Sequence, residues 1–257
     1  MATAVDTKSL VTDIVAAHNE VVKSREFGPF VQRWYDLPGC KLSFTHDAQG
    51  LDRAMLMWKH LLPAGTGEKA PRNVSQTAYK VENGRVYTYR AVQGGGASRP
   101  GDPTQGGGPR TLWGWQETQF DDRTLINEMI ILSAEEEPQV EIDEEQVNSR
   151  IGRIFSEFVQ VFNVYFRTGN ADLLAEWCAD DIHMAINDTF YGMAVSAPFN
   201  RIPPTVDFEL KDVRETDGRV HVDLFITNWG GLDMGCRWDL ALTPEGKLRE
   251  QLITVDV

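Results

Sequence analysis

Glu82-Asn83-Gly84-Arg85-Val86-Tyr87-Thr88-Tyr89 and Glu215-Thr216-Asp217-Gly218-Arg219-Val220-His221-Val222-Asp223 carry the same instruction twice. Each places Asn-Gly or Asp-Gly, a pair that accepts positive φ, ahead of alternating β-branched and aromatic residues, so each reads as a tight turn feeding a strand. The match extends outward. Upstream, Trp34 and then Phe44-Thr45-His46-Asp47 answer Trp177 and then Ala185-Ile186-Asn187-Asp188. Downstream, Trp115-Gln116-Glu117 through Leu125 answers Trp238-Asp239-Leu240 through Leu248. A repeat this long exceeds a solenoid unit, so each copy is expected to be a domain with its own core.

The chain has 257 residues, 42% hydrophobic and 25% charged, enough for two modest cores. A formal charge of −13 argues against a phosphate-backbone partner, whose affinity comes from lysine and arginine. No apolar run reaches the roughly 18 residues of a membrane span, and the start lacks the apolar core of a signal peptide. A nucleic acid or a membrane is therefore not expected as partner. Cys40, Cys178 and Cys236 are odd in number and lack metal-ligand spacing, which predicts reduced buried thiols and a cytoplasmic setting.

Leu10, Val11, Ile14, Val15, His18, Val21 and Val22 recur at helical spacing, and a second helix ends at Trp34 before Pro38-Gly39. Leu42 to Thr45 reads as a strand, Asp52 to Leu62 as a helix, and the remainder of the copy as three or four strands. Gly94 to Pro109 is glycine-rich and predicts a loop, either a lid over a pocket or an inert insertion. Glu135 to Glu145 is acid-rich and contains Pro138, which marks a solvated linker leading into the first turn of a helix. Val147 to Phe166 is again helical, closed by Thr168-Gly169-Asn170-Ala171-Asp172.

With that helix, the Gly-Asn-Ala-Asp turn, a short helix ending Trp177-Cys178-Ala179-Asp180-Asp181 and a following strand, the second copy resembles the nuclear transport factor 2-like superfamily. Within it, the likeness is to the SnoaL, ketosteroid isomerase and limonene epoxide hydrolase branch. Pro244 to Glu250 is similar to that group's last hairpin. The resemblance implies an α+β protein of two tandem cone-shaped α+β barrel domains, each with helices packed on a strongly bent antiparallel sheet that encloses a pocket. Residues 1–137 would form the first domain, 138–146 an acidic linker and 147–257 the second. Their sheets would pack as an intramolecular pseudo-dimer.

The isomerase tyrosine and aspartate of that branch fall at Phe162 and Ile186, and its second acid at Trp238, beside Asp239. The epoxide hydrolase trio falls at His221, Asp223 and Ile253, or at Tyr87, Tyr89 and Ile130 in the first copy. Neither mechanism transfers intact. Read from the residues themselves, strand alternation puts Trp113, Trp115 and Glu117 on one face and Glu128 with Ile126 and Ile130 on a face of the neighbour. If those faces coincide, two carboxyls with raised proton affinity sit in an aromatic pocket beside Tyr87 and Tyr89; if parity is shifted by one, they do not.

Catalysis is thus expected from Glu128, Glu117, Tyr89, Asp223 and His221, with Tyr87, Trp113, Trp115, His46, Trp238 and Asp239 binding substrate. His46 next to Asp47 is either a base with its orienter or a strand residue facing away from it, and His18 is either a pocket group, on the helix that supplies one, or a core histidine, which its apolar surroundings favour. Arg237 and Asp239 read as an ion pair. No phosphate loop, nucleophile elbow or metal cluster appears, so no cofactor and no metal are expected. The function expected is a cofactor-independent acid/base enzyme, an isomerase, cyclase or epoxide hydrolase, acting on a hydrophobic small molecule such as a polyketide or terpenoid. The alternative is a binding protein that keeps the pocket without the chemistry.

Overall fold

The computed structural model describes residues 6–61, 71–94, 110–133, 143–196, 198–229 and 231–257. The chain is mixed α+β. Helices α1 (Thr7–Ser24) and α2 (Phe27–Trp34) precede strand β1 (Lys41–Gln49), helix α3 (Leu51–Leu61) and strands β2 (Pro71–Glu82), β3 (Arg85–Gly94), β4 (Arg110–Asp121) and β5 (Thr124–Ser133). The second half continues with α4 (Glu144–Asn148), α5 (Arg150–Thr168), α6 (Asp172–Ala175), β6 (Cys178–Tyr191), two short 3-10 turns, and β7 (Asp207–Thr216), β8 (Arg219–Trp229), β9 (Leu232–Leu242) and β10 (Leu248–Asp256).

The two quoted stretches are hairpins, as their sequence predicts. Asn83-Gly84 and Asp217-Gly218 all have positive φ, and the registers close at Glu82↔Arg85 and Thr216↔Arg219. Helix α1 is capped by Asp6, which accepts from the Lys8 N–H, and ends where Arg25 turns left-handed at φ 64°. Helix α5 ends at Gly169, φ 72°, a conformation that costs glycine little. Asp143 caps α4, and Glu144 and Glu145 occupy its first turn, where the helix dipole favours acids.

The expectation of two separate, strongly bent sheets packed against each other is not met. The strands run in one open order, β2-β3-β4-β5-β6-β1-β10-β9-β8-β7, with β2 and β7 at the edges. Nor is the sheet wholly antiparallel, because β5 and β6 pair in parallel.

Two compact units share these strands. Among the described residues, one gathers 6–45 with 189–256; the other gathers 46–94, 110–188 and Val257. In the first unit α1 lies on β7, a strand of the other half of the sequence, and in the second unit α5 lies on β2 and β3. Each half therefore lends its leading helix to the strands of the other. In the first unit Val11, Ile14, Val15, Val21 and Val22 of α1 are buried, the face the helical spacing predicts. In the second, Phe155, Phe158, Phe162 and Tyr165 of α5 pack with Met57 and Trp58 of α3 and with Val86, Ile130 and Met184 of the strands.

One contact fastens α1. The Asn19 side-chain amide donates to the Phe208 carbonyl at 2.9 Å, and its oxygen accepts from the Phe208 N–H at 2.7 Å. Asn19→Ala is expected to lower unfolding stability by about 1–3 kcal/mol, read by chemical denaturation, because both backbone groups lose their partner. The exchanged helices carry a second expectation: fragments 1–137 and 138–257, produced together, should co-purify, whereas each alone exposes strands that the other's helix covers. Two soluble halves that ignore one another would contradict this.

Candidate functional site

Alternation along β8 decides what the first unit can present. Val220, Val222, Leu224 and Ile226 are buried, and Val222 is the register partner of Trp238, whose ring lies 4.5 Å from the His18 ring of α1. The apolar face is thus the one beneath the helices. His221, Asp223 and Phe225 point the other way. Together with Arg214, Arg237 and Asp239, the first two line an open cleft of about 440 Å³, whose wall also includes Leu252.

The cleft is a grid of cross-strand neighbours. His221 pairs with Arg214 on β7 and with Asp239 on β9, while Asp223 pairs with Asp212 and Arg237. His221 Nδ1 lies 3.4 Å from Asp239 Oδ2. The other oxygen of Asp239 accepts from Arg219 Nε. Arg219 also donates through Nη1 to Glu250 at 2.7 Å, and Lys41 reaches Glu250 at 3.2 Å. Partial burial alone would lower the proton affinity of Arg219, but its bonds to Asp239 and Glu250 outweigh that and raise it. Those from Arg219 and then Lys41 hold the Glu250 carboxyl below its ordinary range. Arg214 donates to Asp223, and Arg237 to Asp256 at 2.8 Å. The predicted Arg237–Asp239 pair is absent, each having another partner.

Behind this face the first unit buries a polar chain that composition did not reveal. Tyr35 donates to Gln251 Oε1, the Gln251 amide nitrogen lies 3.4 Å from His18 Nε2, and His18 Nδ1 lies 2.7 Å from the Ile14 carbonyl. Phe30, Phe199, Phe208 and Trp238 surround the imidazole. Burial pushes His18 down to about 4 and Tyr35 well above its usual value. His18 is a core histidine, as its apolar spacing suggests.

The second unit separates the two glutamates. Glu128 is fully buried on the helix-covered face, opposite Thr118 in register, and accepts from the Gln116 amide at 2.6 Å. Glu117 pairs with Met129 instead, on the opposite face, where Arg85 holds it and Tyr87 is its neighbour on β3. The shared two-carboxylate pocket is thereby excluded, by the shift of one position that strand parity left open. Tyr89 pairs with Trp115 along the backbone, and Ala91 with Trp113, but these three aromatic side chains lie outside the described residues, as do residues 95–109 of the glycine-rich loop.

Asp47, the neighbour of His46, is engaged by a histidine of another strand. Asp47 bonds His183 Nε2 at 2.7 Å, and the other ring nitrogen lies 2.9 Å from Asn127 Oδ1. Cys40, Cys178 and Cys236 are unbridged, and burial raises all three thiols, which disfavours the thiolate a nucleophile needs.

The β3–β4 and β8–β9 hairpins correspond in register near their turns. Arg85, Tyr87 and Glu117 in one unit occupy the positions of Arg219, His221 and Asp239 in the other. Glu128 answers Gln251: Thr118 stands between Val86 and Glu128 in register, as Leu240 stands between Val220 and Gln251. The tryptophans that anchor the sequence match, Trp115 and Trp238, are offset by one: both hairpins carry a register shift beside the turn, at Gln119/Phe120 and at Leu248/Glu250, but the connection from Leu242 to Leu248 is one residue longer than that from Phe120 to Leu125. Sequence reading missed Arg219, although the Gly-Arg pair stands in both quoted stretches; it also missed Tyr35, Gln251 and His183, which have no local motif.

No family model matches the chain, and no curated protein does. Among solved structures, one described as an Ntf2 like protein involved in plasmid conjugation is 14% identical, over 72% of this chain and 74% of that one, with a TM-score of 0.14. The structural likeness to that NTF2-like protein is weak.

The buried imidazole predicts a pH response. Because the folded-state value of about 4 lies below the ordinary 6.5, the unfolded chain binds more protons between them. The stability associated with neutral His18 is therefore complete above pH 6.5 and lost as pH falls towards 4, by about 3 kcal/mol in all. Denaturation midpoints of wild type and His18→Gln across this window should converge as acid is added; parallel curves would contradict the assignment.

Proposed function

We propose that this chain is a cofactor-independent acid/base enzyme acting on a small hydrophobic molecule, with the working cleft on the β8–β9 face. The observation that carries the reading is the convergence of His221, Asp223 and Asp239 on one cleft of about 440 Å³. With Asp239 opposite Nδ1, the Nε2 atom of His221 is the group available to take a proton from an acidic carbon or hydroxyl and return it elsewhere, the requirement of isomerisation or of epoxide opening. Asp223, held by Arg214, stands one row away as a second carboxylate. The half-buried Leu252 offers the apolar contact.

The same reading takes the chain as two copies of a cone-like NTF2 fold that have exchanged their leading helices, an intramolecular pseudo-dimer in the cytoplasm. Conservation of order on both sides of each hairpin supports it.

A second reading, a binding protein without chemistry, is favoured by a separate observation. Four of the positions to which the resemblance would assign catalysis, Phe162, Ile186, Ile253 and Ile130, are buried apolar residues.

A panel of enolisable ketones and epoxides, followed by NMR, separates the two. On a turned-over member of the panel, His221→Gln should lose on the order of 10²- to 10⁴-fold in rate and Glu128→Gln little. The reverse pattern would move the active pocket to the second unit. Ligand-induced thermal stabilisation that His221→Gln abolishes, with no turnover by wild type, would establish the binding reading.

A further inference from the structure

We infer that Arg219 is a positioning residue that fixes the tautomer of His221. This rests on the reading of His221 as the proton-transfer group, but its test does not. The carboxylate of Asp239 is divided: Arg219 Nε takes Oδ1, and Oδ2 faces His221 Nδ1 at 3.4 Å. Arg219 is itself fixed from the far side by Glu250, and Glu250 by Lys41, so the chain Lys41–Glu250–Arg219–Asp239 spans β1, β10, β8 and β9 before it reaches the imidazole.

A carboxylate so tethered cannot rotate to offer His221 a different edge. Its remaining oxygen faces Nδ1, which favours the proton on that nitrogen and leaves the Nε2 lone pair open. Arg214, on the other flank of His221, is drawn off by Asp212 and Asp223 and makes no competing claim on the ring. Without Arg219, Asp239 keeps its charge but gains rotational freedom, and the orienting effect on the imidazole weakens.

The second unit supplies an internal comparison. Arg85 holds Glu117 in the same register, yet the residue in the place of His221 is Tyr87, which has no tautomer to fix. The arginine–acid pair belongs to the fold in both units. Only in the first does it act on a ring with two alternative protonated nitrogens.

The test uses the full chain labelled with ¹⁵N-histidine, at a pH where the ring is neutral, with His221 assigned by its loss in His221→Gln. Long-range ¹H–¹⁵N correlations should show wild-type His221 protonated at Nδ1. Arg219→Gln should turn that form into a mixture with Nε2–H, and Arg219→Lys should fall between. On any substrate the wild type turns over, kcat should drop about 10- to 100-fold in Arg219→Gln with KM little changed. Should Arg219→Gln not fold, Glu250→Gln loosens Arg219 from behind and is expected to shift the same tautomer in the same direction. An Nε2–H wild type, or an unaltered tautomer in a folded Arg219 variant, overturns the inference. A shifted tautomer in a protein that turns nothing over upholds the positioning role while removing the acid/base reading.

Discussion

The grip of α1 on an edge strand is the constraint on which the first unit depends. The Asn19 side chain presents one donor and one acceptor to the free edge of β7, copying what a neighbouring strand would offer to Phe208. Edge strands invite further pairing, and a side-chain amide in that place stops it locally. One residue earlier, His18 turns into the core and meets the aromatic rings of Phe208 and Trp238. The helix is thus fixed by polar contact at the strand edge and by packing over the sheet. Both strands belong to the other half of the sequence, so neither contact is local and both must wait for the chain to return.

Strand alternation then distributes the chemistry. Once the apolar residues of β8 go under α1, every residue between them is forced outward, and His221, Asp223 and Asp239 must share the open face. The same rule in the second unit sends Glu128 inward with Gln116 and Glu117 outward with Tyr87. A side-chain period of two makes this all or none: a slip of one would have exchanged the two glutamates.

The outward face carries a set of charges in a chain that is acidic as a whole. Arginines on β7, β8 and β9 each take one or two carboxylates, so most of the charge is neutralised within the sheet. Individually, such half-exposed pairs contribute little to stability. Their effect is geometric, since an arginine bonded to two carboxylates on neighbouring strands restricts both, and one of those is the partner of the histidine.

The sequence by itself determined the two positive-φ hairpins, the helix faces of α1 and α5, the end of α5 at Gly169, and the apolar surroundings that favour His18 as a core residue. These are short-range matters, set by residues within a few positions of one another. It also named His221 and Asp223 through the family resemblance, and Asp239 as the neighbour of the position that falls at Trp238. Tertiary structure alone decided which half's helix covers which strands, that the strands join in one open sheet, and on which face Glu117 and Glu128 fall. Helix exchange leaves every local signal unchanged, since the same apolar stripe suits either sheet. Parity across β4 and β5 depends on a register shift at Gln119/Phe120 that no propensity marks. The partners of His18, Asp47 and Arg219 come from strands far along the chain, and hydrogen bonds of that kind leave no pattern in sequence until the fold brings their atoms together.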